Sequence, residues 1–596
     1  MQPSTYYPQR IQSLQAQLSV FQKKKSKLAW LRFGVIALLI ALLFILWPYG
    51  TGYALGGALI FLVIFVRLVF SDLKNRSALA HTIHLLELNR QELEAAAHRF
   101  QHFEDGKTLM PALHDYANDL DIFGPASLYQ YVNRSRSDMG NTTLANWLLN
   151  PADSITILER QEAVKELSQT TEWRQELQAY GTEKKISHAT KERLENWLTE
   201  PDDFSGNLFW KIARYLVPAI VLIIIGLEIA GIVDSIVRNY ALLGSGLLAF
   251  YISRKAMAIH AQVSKIADEL EVMSGSIRLV ENTVFKSDLL NKLQQVYKKQ
   301  ETKASAELNS LKKILERFDL RYNPVVFVPL DLILQWDLQQ VMALGKWKNN
   351  NRQNIGEWFD ALGELEALNS FGTLAFNHPQ WNYPVLHEQH FFIEASGMGH
   401  PLIPPAKRVD NDIRITESGE LMLVTGSNMA GKSTYLRSVG VNIVLAMAGA
   451  PVCAQRFEVS PVQLISSMRI ADNLEESTST FYAELKKLKA VIDKVNNGEK
   501  VFILLDEILR GTNSLDRHTG SAALIKQLIN HQAAAIIATH DVELAKLKEL
   551  YPANILNYHF DVQVDKDELY FDYRLKPGIC TSLNASILMR KIGIEL

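Results

Sequence analysis

Residues 420–434 read ELMLVTGSNMAGKST, and this stretch sets the architecture of the C-terminal region of the chain. An apolar run, Glu420 to Thr425, leads directly into GSNMAGKS at 426–433, which is a complete GxxxxGK[ST] loop. A segment compatible with a helix follows Thr434. A strand, this loop and a helix in that order predict an α/β domain of the P-loop type.

The loop predicts a site for ATP and Mg²⁺. Glycines allow backbone N–H groups to close around a β-phosphate, Lys432 supplies positive charge to the β and γ phosphates, and the Ser433 hydroxyl can hold Mg²⁺. The candidate nucleotide-binding residues are Gly426, Ser427, Asn428, Met429, Ala430, Gly431, Lys432, Ser433 and Thr434.

Two further apolar strands end in groups that can act on a phosphate. Val501 to Leu505 is apolar throughout, as a strand buried on both faces requires, and it ends in Asp506 and Glu507. Asp506 can coordinate Mg²⁺ through water, and Glu507 can orient or deprotonate the attacking water. Ala533 to Ala538 precedes His540, which can hydrogen-bond near the γ-phosphate. The predicted catalytic residues are therefore Glu507, His540 and Lys432, and the predicted metal ligands are Ser433 and Asp506.

These motifs together resemble the ATPase domain of the MutS family of DNA mismatch repair proteins. The resemblance rests on TGSNMAGKST at 425–434, STF at 479–481, DEILRGTNSLD at 506–516 and ATH at 538–540. Gly399-His400-Pro401 looks like the entry to that domain, and Gly578 with Ser582 resembles its closing segment. Upstream, RSDMGNTTLANWLLNP at 136–151 and RQEAV at 160–164 resemble the start of the MutS core. The resemblance covers residues 121–596.

The resemblance implies an ATPase that works as a dimer. In the family two ATPase domains pack together, and a serine–threonine loop of one approaches the nucleotide of the other. Carried over, Ser479 and Thr480 would act in trans, and Asn428 would lie in the phosphate loop. Residues 477–480 can also cap the charged helix that follows around 484–494, and both interpretations can hold together.

Four apolar runs predict two membrane-spanning hairpins. They are Leu31 to Trp47, Tyr53 to Phe70, Ile212 to Val233 and Ile236 to Ile252, and each approaches the roughly 20 residues needed to cross a bilayer. Buried core helices are the alternative, but pairing of the runs as hairpins favours membrane spans. Glu228, inside the third run, is a functional-site candidate because it is an intramembrane carboxylate, but its position toward the outer end favours a side chain that reaches the membrane interface.

Positive charge predicts the orientation of the hairpins. Lysines and arginines flank every entry and exit: Lys23, Lys24, Lys25, Lys27, Arg32, Arg67, Lys74, Arg76, Lys211, Arg214, Arg254 and Lys255. By the positive-inside rule these flanks are cytoplasmic. We therefore expect a multi-pass protein of the inner (cytoplasmic) membrane with its ATPase domain in the cytoplasm. The two cysteines, Cys453 and Cys580, follow no metal-binding spacing and suit a reducing compartment.

Helical patterns connect these regions. Residues 77–101 and 256–318 are charged and free of proline, and a continuous helix over 256–318 would be about 90 Å long, with Gly275 as the one point where it can be interrupted. Residues 330–344 and 355–371 predict shorter amphipathic helices. The predicted fold is thus multidomain, with α-helical transmembrane hairpins and a helical MutS-like core or lever before a C-terminal α/β P-loop ATPase domain. We divide the chain into a cytoplasmic segment (1–29), hairpin 1 (30–70), a helical linker (71–120), an initial core segment (121–207), hairpin 2 (208–255), a later core or lever segment (256–385) and the ATPase domain (386–596).

The sequence also departs from the MutS pattern. Ser427 and Ala430 replace the usual proline and glycine of the loop, and Leu509 replaces a glycine after the acidic pair. None of these changes removes a catalytic group. An apolar hairpin stands where mismatch-repair MutS carries its mismatch-reading domain, and no Phe-x-Glu wedge motif occurs in the first 120 residues.

The leading hypothesis is a membrane-anchored MutS-like ATPase in which ATP drives a conformational change of a dimer. The alternatives are a DNA-binding or mismatch-repair protein held at the membrane, a nucleotide-gated membrane scaffold, and a transporter-like machine, which few intramembrane polar groups disfavour. A net charge of −2 lacks the footprint of a dedicated DNA binder. If DNA binds, we expect phosphate contacts from lysine and arginine clusters at 298–303 or 346–352, without mismatch selectivity.

Overall fold

The computed structural model describes residues 2–201, 204–299, 302–389, 391–427, 429–468, 480–565 and 568–580. Up to residue 377 the described chain is helical, and beyond it strands and helices alternate. The helices of the N-terminal region are α1 (Pro3–Leu46), α2 (Thr51–Ala96), α3 (Leu128–Val132), α4 (Asp138–Leu149), α5 (Ser154–Gln169), α6 (Thr171–Glu183), α7 (His188–Thr199), α8 (Leu208–Ile229), α9 (Ser235–Val263), α10 (Ala267–Glu281), α11 (Asp288–Val296), α12 (Ala304–Phe318), α13 (Pro324–Leu334), α14 (Trp336–Asn351) and α15 (Ile355–Asn377).

Helices α1 and α2 form a long antiparallel hairpin. The chain reverses at Gly50, whose φ of 124° favours glycine. Next to the turn the helices approach closely, because a Cβ on Gly57 would lie 2.6 Å from a methyl carbon of Leu42. Apolar side chains near the turn face outward, and Phe44 and Leu55 are 80% and 70% exposed. The helix expected at 77–101 is the second half of α2, which ends at Ala96.

The other end of this hairpin is attached to the helical core. The Tyr7 hydroxyl donates to Asn377 Oδ1 at 2.6 Å, and the Tyr7 side chain is 1% exposed. Glu92 of α2 forms a buried ion pair with Arg134 and also accepts from Asn377 Nδ2 at 2.9 Å. Buried, paired charges resist separation, so α1 and α2 are fixed to the core at their polar ends.

Helices α8 and α9 form the second hairpin. Glu228, near the end of α8, pairs with Arg238 in the first turns of α9 at 2.7 Å. The two charges that interrupt the apolar runs therefore neutralise each other. Among the described residues, α1, α2, α8 and α9 contain the apolar segments that are long enough to cross a membrane.

The continuous helix expected over 256–318 is wrong. The range is divided among α9, α10, α11 and α12, which end at Val263, Glu281, Val296 and Phe318, and α12 folds back to pack against α10. At the break after Glu281, the Glu166 carboxylate accepts from the backbone N–H groups of Lys286 and Ser287 at 2.8 and 2.7 Å, and Ser287 caps α11. Tertiary hydrogen bonds thus replace the helical ones.

The helix expected at 330–344 is also wrong, because two helices meet inside that range. Gln335, with a left-handed φ of 50°, separates α13 from α14. The amphipathic helix expected at 355–371 lies within α15, whose side chains are buried along almost its whole length in the middle of the core.

The C-terminal region contains two sheets within the described ranges. A smaller mixed sheet has the strand order β1-β5-β2-β3, and a larger one has the order β10-β9-β4-β8-β7-β6. In the larger sheet β9, β4, β8, β7 and β6 are parallel and β10 is antiparallel. The elements are β1 (Val385–Leu386), β2 (Ile393–Met398), β3 (Asn411–Ile415), β4 (Leu421–Thr425), α16 (Lys432–Ala448), β5 (Arg456–Val459), β6 (Gln463–Ser467), α17 (Thr480–Asn496), β7 (Val501–Asp506), α18 (Ser514–Asn530), β8 (Ala534–Thr539), α19 (Leu547–Leu550), β9 (Ile555–Asp565) and β10 (Glu568–Pro577).

Candidate nucleotide site

The loop between β4 and α16 wraps around the ammonium group of Lys432. Gly426 and Gly431 have φ values of 149° and 110°, which L side chains rarely adopt, and a Cβ on Gly426 would lie 2.9 Å from the Phe560 carbonyl oxygen. Lys432, the first residue of α16, donates from Nζ to the carbonyl oxygens of Gly426 and Ser427 at 2.8 and 3.0 Å. The loop therefore has the shape of a phosphate cradle at a helix N-terminus.

Neighbouring strands bring the acidic pair and the histidine to the same edge of the sheet. Strand β8 lies between β4 and β7, with Thr425 opposite Thr539 and Asp506 opposite Ala538. Because the carboxyl ends of parallel strands meet at one edge, residues that follow all three strands converge. His540 Nε2 lies 2.6 Å from Glu507 Oε1 and 3.3 Å from Lys432 Nζ.

Glu507 is held from three directions. Its backbone N–H donates to the Ala538 carbonyl at 2.9 Å, and its φ is 54°. Its carboxylate contacts His540 through one oxygen and Arg510 Nε through the other, at 3.0 Å. A left-handed backbone at a non-glycine residue costs free energy, and the three contacts hold it in place.

Burial and charge shift the pKa values of the two central groups. Burial lowers the pKa of the Lys432 ammonium to about 8, an effect that the carboxylates of Glu507 and Asp506 oppose. The hydrogen bond from His540 lowers the pKa of Glu507, and burial opposes that change. At neutral pH the site therefore contains a charged lysine and an ionised glutamate.

A cavity of about 510 Å³ opens beside the loop. Its lining includes Lys432, Ser433 and Glu507, together with His400, Arg408 and Tyr573. The Tyr573 ring lies over Gly431, where a Cβ would be 3.2 Å from the tyrosine Cδ1. A triphosphate at the loop would have room for its nucleoside between these side chains.

The sequence motifs did not identify the other side chains that line this cavity. His400 belongs to the quoted Gly399-His400-Pro401 segment, and burial lowers its pKa to about 4. Arg408 and Tyr573 lie in segments without a recognisable pattern. Tyr573 has a φ of 52°, and Asn411 binds the backbone on both sides of Arg574, accepting from Leu575 N and donating to the Tyr573 carbonyl.

The oxygen atoms next to the loop fit Mg²⁺. The Asp506 side chain is 4% exposed, and its Oδ1 has no hydrogen-bond partner in the described regions of the chain. The Ser433 hydroxyl lines the cavity. Across the residues that the structure describes, no group of three or more His, Cys, Asp or Glu side chains could enclose a metal. Mg²⁺ characteristically uses one or two protein oxygens, with substrate phosphates and water completing its shell.

Some predicted residues lie outside the described ranges. Asn428, Ser479 and Ser582 are among them, and Thr480 is the first residue of α17. Met429, at the tip of the loop, is 79% exposed with a φ of 69°, whereas Ala430 is buried. Thr434 lines the cavity beside Ser433.

Comparison with known proteins identifies the family. A model of MutS domain V matches residues 422–589, which include the loop, the acidic pair and His540. DNA mismatch repair protein MutS of Chlorobium phaeovibrioides is 25% identical over 551 residues, covering 84% of this chain. Residues 422–589 belong to the MutS family as its domain V.

Other MutS relatives have higher identity over shorter parts of the chain. MutS of Ehrlichia chaffeensis is 33% identical over 37% of this chain and 27% of its own length. MutS protein homolog 4 of Mus musculus is 33% identical over 31% of this chain and 20% of its own length. The Chlorobium protein is covered over 62% of its length. The chain thus spans less than two thirds of each of these MutS relatives.

Leu509 shows how this MutS domain V accommodates a departure from the family pattern. Its φ is 60°, in the region that favours glycine, which is the residue that the resemblance to MutS implies at this position. The Leu509 side chain is 8% exposed and belongs to the apolar cluster beneath the sheet. Burial of a leucine side chain contributes about 2 kcal/mol, which offsets a left-handed backbone cost of about 1–2 kcal/mol.

Proposed function

We propose that this MutS-family protein is a membrane-anchored ATPase that binds ATP with Mg²⁺ and hydrolyses ATP as a dimer. The observation that carries the proposal is that Lys432 of the loop, the Ser433 hydroxyl and the Glu507 carboxylate line the same cavity. Each of these groups has the chemistry that one portion of a bound nucleotide requires.

Hydrolysis follows from the arrangement of these groups. The loop N–H groups and Lys432 bind the phosphates, so the γ-phosphorus lies toward Glu507 and His540. Glu507 orients a water molecule and receives its proton while a bond forms from the water oxygen to the γ-phosphorus. The bond from that phosphorus to the β–γ bridging oxygen breaks, and ADP leaves with its new charge facing Lys432. When bound, Mg²⁺ would be held by Ser433 and Asp506 and would neutralise charge on the β and γ phosphates.

Glu507 must first release one of its present partners. Its two oxygens contact His540 and Arg510, and a carboxylate bound on both sides is a poor water acceptor. The negative γ-phosphate attracts the imidazole and the guanidinium away from Glu507. Binding of the nucleotide would then itself free Glu507 to accept the attacking water.

A second cavity of about 440 Å³ supports the dimer. Arg510, Arg517 and His518 line it together with Glu507 and His540. Glu507 therefore lines this cavity as well as the nucleotide cavity. In the proposed homodimer the ATPase domains pack together, and Ser479 and Thr480 of the partner subunit complete the phosphate site in trans.

The hairpins support the membrane anchoring in the proposal. Outward-facing aliphatic side chains continue along α8 and α9, where Ile223 and Leu247 are 60% and 66% exposed. Such continuous apolar surfaces are stable in lipid and not in water. The positive flanks then orient the protein in the inner (cytoplasmic) membrane with the ATPase domain in the cytoplasm.

DNA binding is the second candidate, because a relative that covers most of the chain carries the name DNA mismatch repair protein MutS. Only a portion of the expected basic surface is available for it. Lys348 is 6% exposed and donates to the carbonyls of Trp197 and Glu200, so its stretch at 346–352 offers fewer charges to phosphate than the sequence suggests. Lys299 pairs with Glu357 at the surface.

Nucleotide affinity of the purified full chain tests the proposal. Lys432→Ala removes the buried ammonium and should abolish ATP binding in a fluorescent-nucleotide titration. The matched control is Lys546→Ala, which removes an exposed lysine of the same domain that pairs with Glu543 at the surface. Thermal unfolding verifies that both variants are folded. Unchanged ATP affinity in a folded Lys432→Ala protein would refute the assignment of the site.

A further inference from the structure

In helix α13 the charged side chain is buried and apolar side chains are exposed, which is the reverse of a helix in water. Its sequence, PVVFVPLDLIL, contains one charged residue, Asp331, and this is the residue of the helix that is buried, at 6% exposure. Val325, Val326 and Val328 are 83%, 40% and 48% exposed. Helices in water present the opposite arrangement, and an apolar exterior around a buried charge is typical of a helix in lipid.

The position of α13 places it beside the second hairpin. It packs against both α8 and α9. The Ser245 hydroxyl of α9 donates to the Leu332 carbonyl at 2.5 Å, and a Cβ on Gly246 would lie 2.9 Å from a methyl carbon of Leu332. Ser245 is about ten residues into α9, roughly 15 Å along it at about 1.5 Å per residue. In a hydrocarbon core about 30 Å thick this is half the depth.

The chain enters and leaves this position from the same side. Before α13, Arg321 donates to the Ser253 hydroxyl at 3.0 Å, two turns nearer the cytoplasmic end of α9 than Ser245. After α13, Gln335 turns the chain into α14, whose Gln339 donates to the Arg214 carbonyl near the start of α8. Helices α13 and α14 therefore form a hairpin that rises along α9 and returns.

Several polar groups at this turn have partners inside the protein, although Gln335 Oε1, Asp337 Oδ1 and Arg321 Nη1 are buried with no hydrogen-bond partner among the described residues. Gln335 is fully buried, and its Nε2 donates to the Ser245 hydroxyl and carbonyl at 2.8 and 3.0 Å. Asp331 accepts from the backbone N–H of Asp337 at the N-terminus of α14, where negative charge is favoured. Arg321 pairs with the buried Asp337 carboxylate at 3.2 Å. Non-helical backbone at membrane depth requires such internal partners.

We propose that α13 is a re-entrant membrane helix whose exposed valine face, formed by Val325, Val326 and Val328, contacts the acyl chains of the cytoplasmic leaflet. The inference rests on the proposed membrane embedding of α8 and α9. Continuity with that hairpin argues for lipid, because any bilayer that surrounds α9 at Ser245 also surrounds α13. Helix α14 continues from α13 into the ATPase-bearing core, so the valine face joins the core to the membrane at a third place.

Collision accessibility of a nitroxide tests this in the full chain reconstituted into nanodiscs. Both natural cysteines are first replaced, as Cys453→Ala and Cys580→Ser. Single labels are then placed at Val325→Cys and Val328→Cys. Leu247→Cys on the outward face of α9 serves as the lipid reference, and Lys313→Cys on the exposed side of α12 serves as the aqueous reference. Two positions on α13 ensure a result if one variant does not fold.

We expect oxygen to collide with the labels at 325 and 328 more often than a polar nickel complex does, at a ratio close to that of 247 and several-fold above that of 313. A nickel-accessible label on α13 beside a lipid-exposed 247 would overturn the re-entrant helix alone. Low accessibility to both reagents would mean that a second copy or another protein covers the valine face, which also overturns it. A nickel-accessible 247 would refute the membrane embedding itself.

Discussion

Glu507→Gln replaces one carboxylate oxygen at the end of β7 with an amide nitrogen. The amide keeps one acceptor, but its NH₂ group faces the imidazole of His540 or the guanidinium of Arg510, both of which are donors. The Glu507 side chain is 26% exposed, so water can satisfy the displaced groups. We expect the variant to fold with a stability change of about 1 kcal/mol or less.

The expected loss is in turnover. An amide cannot take a proton from water, and a positioned general base contributes about 10²- to 10⁴-fold to a rate. At about 1.36 kcal/mol per factor of ten, this raises the barrier by about 3–5.5 kcal/mol. ATP affinity should be equal or greater, because Lys432 and Ser433 remain and a negative charge facing the γ-phosphate is gone.

Single-turnover hydrolysis of radiolabelled ATP, measured beside a nucleotide titration, separates the two effects. Glu543→Gln is the matched control, since it makes the same change at a carboxylate that pairs with Lys546 at the surface. The control should hydrolyse ATP at the wild-type rate. Hydrolysis by Glu507→Gln within threefold of wild type, or parallel loss of ATP binding, would refute the role derived for Glu507.

Three further predictions concern pH, topology and DNA. Lys432, with a pKa of about 8, is charged below that pH, so ATP affinity should fall as pH rises above 8, by up to about tenfold per pH unit. Lys432→Arg keeps its charge and should flatten this profile, and affinity that stays constant to about pH 9.5 in the wild type would contradict it. Thr51→Cys and Ser235→Cys, at the turns of the two hairpins, should react in intact cells with a membrane-impermeant maleimide, while a thiol at Lys313 should not. Thr51 is preferred to Gly50, whose φ of 124° opposes a side chain. If the protein binds DNA, homoduplex and mismatched duplex should compete equally and binding should weaken steeply with salt, whereas a tenfold preference for a mispair, about 1.4 kcal/mol, would reveal a mismatch reader.

The strands of the nucleotide site were predictable because their chemistry is local. Leu421–Thr425, Val501–Asp506 and Ala534–Thr539 are buried on both faces and therefore appear as unbroken apolar runs, each ending at a polar residue. Tyr573 was not predictable, because it reaches the loop only through the return of β10, and no residue near it in sequence marks that role. A surface formed between distant elements leaves no pattern within any single segment.

In the helical region, too, features that depend on contacts between distant segments could not be predicted from the sequence. No proline marks the breaks after Glu281 and Val296, and the first of them depends on Glu166, more than a hundred residues earlier in the chain. Helix α13 was not predicted as a membrane element because eleven residues with two prolines and an aspartate are too short and too interrupted for a membrane span. Its apolar exterior becomes evident only when Asp331 is seen to be the buried side chain.

Phosphate release by the purified full chain in nanodiscs, with wild type beside Lys432→Ala, tests the central claim most directly. The two preparations share the membrane, the fold and any contaminating activity. A difference in phosphate release between them is therefore due to the loop lysine. We predict Mg²⁺-dependent hydrolysis of ATP by the wild type and none above background in the variant. Equal phosphate release from the two would contradict a membrane-anchored MutS-type ATPase.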